Sequence, residues 1–248
     1  MAGGGGAMKP VIIGDATLYL GDCMNILPTL GRGDAVITDP PYSANTHKMA
    51  KTNKGAGHGV KLVTFACLTD EGFDSVMQAC IASSGGWGVA TCDYKHAARF
   101  YNEPQFVRLG AWVKPNPMLQ ISGDRPGQGF KTVLILHSGD RKKAWNRGGG
   151  SGVWTFPVTN GAEVATQKPI ELIRAFVSDF TNPGETIADP FMGSGTTGVA
   201  ALQQGRKFIG IEQNEKHFDI ACKRIEAAYA QGQLFAPEPT KQVQVVLF

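Results

Sequence analysis

The sequence predicts an α/β protein: a mostly parallel sheet with helices on both faces. Three observations carry this. Short apolar runs alternate with segments of helical period from residue 11 to residue 231. The glycine-rich stretch Gly193-Ser194-Gly195 lies between an apolar run and a helical one, as in a βαβ unit. A chain of 248 residues holds one such domain with a sizeable core and room for a small insertion.

Taken in order, residues 1–10, with four consecutive glycines from Gly3, read as a disordered leader, and Met8 is a second candidate start. A strand is expected over 11–20 and a helix over 22–30, with Asp22 suited to its N-cap. The apolar Ala35-Val36-Ile37 predicts a strand over 35–38. A helix over 71–84, a strand over 86–92 and a helix over 94–102 continue the alternation, followed by strands over 106–113 and 131–137. A helix over 168–180 leads to the strand 186–189, the helix 196–204 and the strand 207–211. The last helix, 214–231, has an apolar face through Phe218, Ala221 and Ile225. The main domain is thus 11–231, and 232–248 is a tail ending in the largely apolar Val243–Phe248.

Composition excludes several classes. No run approaches the roughly 20 apolar residues of a membrane span. Five cysteines lack metal-ligand spacing, and an odd count suits reduced thiols in a cytosol, with Cys67, Cys80 and Cys92 reading as core. His47, His58, His96, His137 and His217 show no ligand pattern, so no metal is expected. A net charge of +3 is a weak nucleic-acid signal, so phosphate contacts would have to come from local clusters.

Two constellations carry chemistry. The first is Asp39-Pro40-Pro41-Tyr42 at the end of a strand. An exocyclic base amine is a poor nucleophile because its lone pair is spread into the ring. A carboxylate and a backbone carbonyl can accept its two N–H hydrogens and aim the nitrogen at an electrophile. Asp39 and the Pro40 carbonyl supply that pair, two prolines stiffen the turn, and Tyr42 offers a face for a base swung out of a duplex, a stack worth about 1–3 kcal/mol. The ordinary alternative is a proline-rich turn with Tyr42 as packing.

The second constellation runs from Asp189 through Phe191, Gly193, Ser194, Gly195 and Thr196 to Glu212 at the end of the next strand. The glycines admit a ligand close to the backbone, and the helix N-terminus favours an anion. Glu212 is placed to take ribose hydroxyls. Gly193, Gly195 and Gly198 also satisfy the dinucleotide fingerprint, but Asp189 would repel a pyrophosphate while attracting the ammonium of S-adenosylmethionine.

With both motifs present, the chain resembles the amino-methyltransferases of DNA, which make N6-methyladenine or N4-methylcytosine. It matches their permuted β class, in which the DPPY motif precedes a target-recognition segment and the FxGxG motif comes last. The resemblance covers roughly residues 15–230. It implies a Rossmann-like methyltransferase fold using S-adenosylmethionine, with a small recognition insertion near 117–160. Gly21-Asp22-Cys23 resembles the family's turn whose Asp meets the cofactor adenine, and Gln167-Lys168-Pro169 its segment at the methionine carboxylate. An Asp at the start of DPPY is typical of the N6-adenine enzymes, which favours adenine over cytosine. Trp112-Val113-Lys114-Pro115-Asn116 resembles a segment beside the flipped base, with ordinary core as the alternative for Trp112.

Double-stranded DNA is the expected partner. The loop 43–61 carries Lys48, Lys51 and Lys54 next to the catalytic turn, although a solvated loop has the same composition. Arg125, Arg141, Lys142, Lys143 and Arg147 are further candidate contacts. From residue 136 to Gln167 there are only about 30 positions, too few for an independent recognition domain, so a homodimer is expected. A bacterial cytoplasm, on chromosomal, plasmid or phage DNA, is the expected location. The open rivals are an RNA or protein-amide methyltransferase, which the motif order opposes, and a non-catalytic DNA-binding module, which four intact motifs oppose.

Overall fold

The computed structural model describes residues 9–41, 68–117, 120, 123–159 and 167–234, with residues 233 and 234 described by backbone only. The leader 1–8, Tyr42, the loop 43–61, Cys67 and the tail beyond 234 lie outside the described residues.

Among the described residues, nine strands form one sheet in the order β1-β2-β9-β8-β3-β4-β6-β5-β7. They are β1 (Val11–Ile13), β2 (Ala16–Leu20), β3 (Ala35–Thr38), β4 (Trp87–Cys92), β5 (Phe106–Val113), β6 (Phe130–His137), β7 (Val153–Thr155), β8 (Thr186–Asp189) and β9 (Lys207–Glu212). Strands β2, β9, β8, β3 and β4 pair in parallel, while β1 and β6 run against their neighbours. The helices are α1 (Cys23–Ile26), α2 (Asp70–Ala82), α3 (Tyr94–Arg99), α4 (Ile170–Phe180), α5 (Thr196–Gln203) and α6 (Glu215–Leu234).

The parallel centre of the sheet, β8, β3 and β4, is buried on both faces, as a parallel sheet must be. One face packs α4, α5 and α6 through Leu172, Phe176, Val199, Ala221 and Ile225. The other packs α2 and α3 through Phe73, Val76, Met77, Ala97 and Phe100. Phe73, Phe176, Phe180 and Phe208 are fully buried, each contributing roughly 1.5–3 kcal/mol of hydrophobic stabilisation. Cys80 and Cys92 are core, as expected.

Three expectations need correction. The strand over 11–20 is a hairpin, β1 and β2, because Gly14 adopts φ +54° in a two-residue turn that pairs Ile13 with Ala16. A side chain at Gly14 would also meet the Tyr229 ring at 2.0 Å. The helix over 22–30 is one α-turn capped by Asp22, continuing as a 3-10 turn over Leu27–Thr29, where Pro28 enters. Strand β7 was not anticipated: three residues carry little periodicity, and it forms by parallel pairing to β5.

Candidate functional site

Strands β3 and β8 are neighbours, and their connections leave in opposite directions across the sheet: β3 leads through α2 to β4, and β8 through α5 to β9. A crevice opens at the carboxyl ends of strands at such a reversal. The two sequence motifs meet there. Asp39, Pro40 and Pro41 line the same pocket as Asp189, Phe191, Gly193, Ser194, Thr196 and Glu212, joined by Asp22, Cys23, Thr91, Gln167 and Lys168.

The catalytic-turn carboxylate is held at both oxygens. The Thr91 hydroxyl at the end of β4 donates to Asp39 Oδ1, and the Lys168 ammonium donates to Oδ2. Two further lysines converge on this side. Burial, followed by the charges of Lys131 and Lys168, lowers the Lys114 ammonium to about 8. Lys131 is lowered first by burial and then by Lys168, with Asp39 opposing.

On the other side of the crevice, Asp189 is buried and its Oδ1 accepts from Thr38 Oγ1 at 2.7 Å and the Phe191 amide at 3.1 Å. Burial raises its carboxyl to about 6, against the pull of the Thr197, Thr38 and Phe191 donors. Its carboxyl group thus braces the turn it opens. Gly195, at φ +79°, forms the N-cap of α5 without a side-chain cap, and Thr196 and Thr197 of the first turn line the pocket. Glu212 is buried, with Oε2 accepting from the Gly193 amide at 3.0 Å and Oε1 from the Asn214 amide at 2.8 Å. Asp22 serves as the N-cap of α1, accepting from Met24 N at 2.9 Å, while lining the pocket. Burial, helped by Asp22, pushes the Cys23 thiol up to about 12, so it is an inert wall. Pro169 is buried and precedes α4.

Among the described lining residues, four carboxylates (Asp22, Asp39, Asp189 and Glu212) face one basic side chain, Lys168. This donor set suits a ligand with several positive or hydroxyl groups and a single carboxylate. S-adenosylmethionine, with its sulfonium, ammonium, ribose hydroxyls and carboxylate, fits it, and the amides opening α5 can donate to the carboxylate. Among the described residues no group of three His, Cys, Asp or Glu is arranged to hold a metal ion. No described helix is long and apolar enough to cross a membrane.

The candidate DNA contacts divide. Lys114 belongs to the lysine group beside Asp39. Trp112 is buried, donates from Nε1 to Phe156 O at 2.8 Å and carries Lys114 over its ring at 5.0 Å, so it is core rather than an open stacking face. Asn116 bridges to Val158 N at 2.8 Å, and Arg125 pairs with Asp124 at 2.9 Å. Arg141 lies at the opposite end of the sheet, donating to Asp34 O at 2.9 Å and pairing with Asp34 at 3.1 Å and Glu185 at 3.2 Å, at the starts of β3 and β8. Arg147 pairs with Asp179 at 3.6 Å near the C-terminal end of α4, and the exposed Lys142 and Lys143 lie between them in sequence. Segment 141–155 therefore packs against the domain: Trp145 and Trp154 pack on Phe180 and Phe176, and Asn146 Nδ2 donates to Ser178 O and Thr181 O at 2.9 Å each. Lys48, Lys51 and Lys54 lie outside the described residues.

Sequence reading missed Thr38 and Thr91 as site residues. A threonine at a strand end carries no motif; its meaning comes from which strands are neighbours.

Comparisons with known proteins find likeness to DNA methyltransferases. The N6/N4 methyltransferase family model, described as DNA methylase, matches residues 34–223. The Type II methyltransferase M.Cfr9I of Citrobacter freundii is 28% identical over 278 residues, covering 88% of this chain and 90% of that protein. The Type II methyltransferase M2.DpnII of Streptococcus pneumoniae is 36% identical over 132 residues, 47% of this chain and 49% of that one. Among solved structures, the M1.HpyAVI complex with S-adenosylmethionine is similar with a TM-score of 0.64 and 27% identity, over 84% of this chain and 99% of that one. The cytosine-N4-specific PvuII DNA methyltransferase has a TM-score of 0.66 at 16% identity, over 90% of this chain and 94% of that one, a likeness of fold.

Proposed function

Because the chain belongs to the N6/N4 DNA methylase family, and is thus a DNA methyltransferase, we propose that it transfers a methyl group from S-adenosylmethionine to the N6 amine of adenine at a specific site in double-stranded DNA. The observation that carries the reading is the convergence of Asp39 with the glycine-rich turn, Asp22 and Glu212 on one pocket. The Asp that opens the catalytic motif supports adenine.

The chain's residues act by positioning. Glu212 and Asp22 take hydroxyl and amine donors of the cofactor, and the amides opening α5 take its carboxylate. When bound, the cofactor presents a methyl group on sulfonium, an already activated leaving group. Asp39 and the Pro40 carbonyl accept the two N–H hydrogens of the flipped adenine, and Tyr42 stacks on its ring. The amine nitrogen forms the new N–C bond as the S–C bond breaks, and the surplus amine proton leaves through Asp39. Neither a covalent enzyme intermediate nor a metal is required by this chemistry.

The basic loop 43–61, Lys114 and part of segment 117–160 are the proposed DNA face, and a bacterial cytoplasm is the proposed location. A homodimer is proposed because one protomer offers a short recognition segment. Gel filtration giving the mass of one chain at working concentration would remove it.

The test incubates the protein with duplex DNA and isotopically labelled S-adenosylmethionine and analyses the nucleosides by mass spectrometry. Labelled N6-methyladenine supports the reading. Labelled N4-methylcytosine keeps the mechanism and overturns the base, and label in RNA alone overturns the substrate.

A further inference from the structure

The resemblance that assigned Lys168 to the cofactor does not account for its contact in this structure. Its ammonium donates to Asp39 Oδ2, joining positions 129 residues apart in sequence. The side chain of Lys168 is 10% exposed and that of Asp39 26%, so the pair is shielded enough for its geometry to be held. Thr91 takes the other oxygen from β4. Three elements thus hold one carboxylate: the turn after β3 that carries it, the end of β4, and the segment entering α4, where buried Pro169 stiffens the backbone beside Lys168. Gln167, the preceding residue, accepts from Ser194 Oγ at 3.2 Å and ties this segment to the glycine-rich turn.

We propose that Lys168, together with Thr91, is a positioning residue for Asp39: it sets the plane of the carboxylate that receives the base amine, and its principal effect is on methyl transfer rather than on cofactor affinity. The proposal rests on the methyltransferase reading above. A free aspartate rotates about two side-chain bonds, whereas a carboxylate held at both oxygens keeps its remaining lone pairs directed into the pocket. Each carboxylate oxygen has a second lone pair, so donation by Thr91 and Lys168 does not by itself exclude an amine hydrogen. Positioning of this kind raises the rate by sparing the transition state a search for alignment.

The experiment has two arms on the full chain. The first is a double-mutant cycle of Lys168→Gln and Asp39→Asn read by thermal unfolding, which needs no substrate. The pair is supported if the double variant loses less in Tm than the two single losses added, and additive losses overturn it. The second arm measures the cofactor dissociation constant by calorimetry and the single-turnover rate on duplex DNA at saturating S-adenosylmethionine. Lys168→Gln is expected to slow transfer roughly 10- to 100-fold while the dissociation constant stays within about threefold. Thr91→Val should slow transfer in the same sense, and Lys168→Arg, which keeps a cationic donor, should recover much of the rate. An unchanged rate at saturating cofactor with weakened cofactor binding returns Lys168 to the cofactor and overturns the proposal. Absence of any transfer by the unsubstituted protein sinks the proposed function, while the unfolding cycle still decides whether Lys168 and Asp39 act as a pair.

Discussion

The carboxylate of Asp189 shows how a residue legible in the sequence can serve a role the sequence does not specify. Its place ahead of the glycines was readable, but its burial and its bond to Thr38 depend on β3 and β8 lying side by side. Burial is the largest influence on it and raises its carboxyl from 3.8 to about 6. Between roughly pH 4 and 6 the folded chain holds a proton that the unfolded chain has released. The stability linked to that proton is full below about pH 4 and is lost as pH rises through about 6, by up to ~3 kcal/mol. Asp189→Asn can still accept from Thr38 and the Phe191 amide, so it should flatten the fall of Tm across this window. A Tm profile with unchanged slope would contradict the buried-carboxyl account. Asp39 was legible because its motif is local. Thr91 and Lys168, its partners, became visible only when β4 and α4 were set around it.

Among the elements, the turn between β8 and α5 is tightly constrained. Gly195 has φ +79°, and a side chain there would meet Ala221 Cβ at 3.0 Å and Cα at 3.1 Å on α6. Gly184 has a similar φ, +84°, but open space around it. Gly195→Ala is therefore expected to cost about 1–3 kcal/mol from strain and overpacking together, and Gly184→Ala less, from strain alone. Urea unfolding of the two variants checks this, and calorimetry should show weaker cofactor binding for the Gly195 variant only. Equal costs would mean that α6 does not press on the turn as described. The long elements were legible from periodicity: β3, β5 and β8 occupy the expected residues, and α2 and α4 lie within two residues of them. The failures were short. A two-residue hairpin inside an apolar run and a three-residue strand paired only at tertiary level leave too few residues for a period to register.

For the whole molecule, the sheet separates a chemical end from a supporting end. The pocket lies at the carboxyl ends of β3 and β8, and Arg141 binds at their starts, roughly 16 Å away for a strand of this length. DNA approaching Asp39 meets the first end. Replacing Lys142 and Lys143 together by Ala should therefore leave DNA affinity within about twofold, whereas replacing Lys48, Lys51 and Lys54 should weaken it and lower its salt dependence. Fluorescence anisotropy over a salt series decides this, and a loss confined to the first pair would place the DNA on the other end. Sequence could count these charges but not assign them to an end, because that depends on the path of the chain after β6. The most direct measurement of the central claim is single-molecule sequencing of modified bases in DNA from a methylation-deficient bacterial strain expressing this chain, beside an Asp39→Ala control. The account predicts N6-methyladenine at one short motif in the first and none in the control. An equal signal in the control, or no modified base in either, would contradict it.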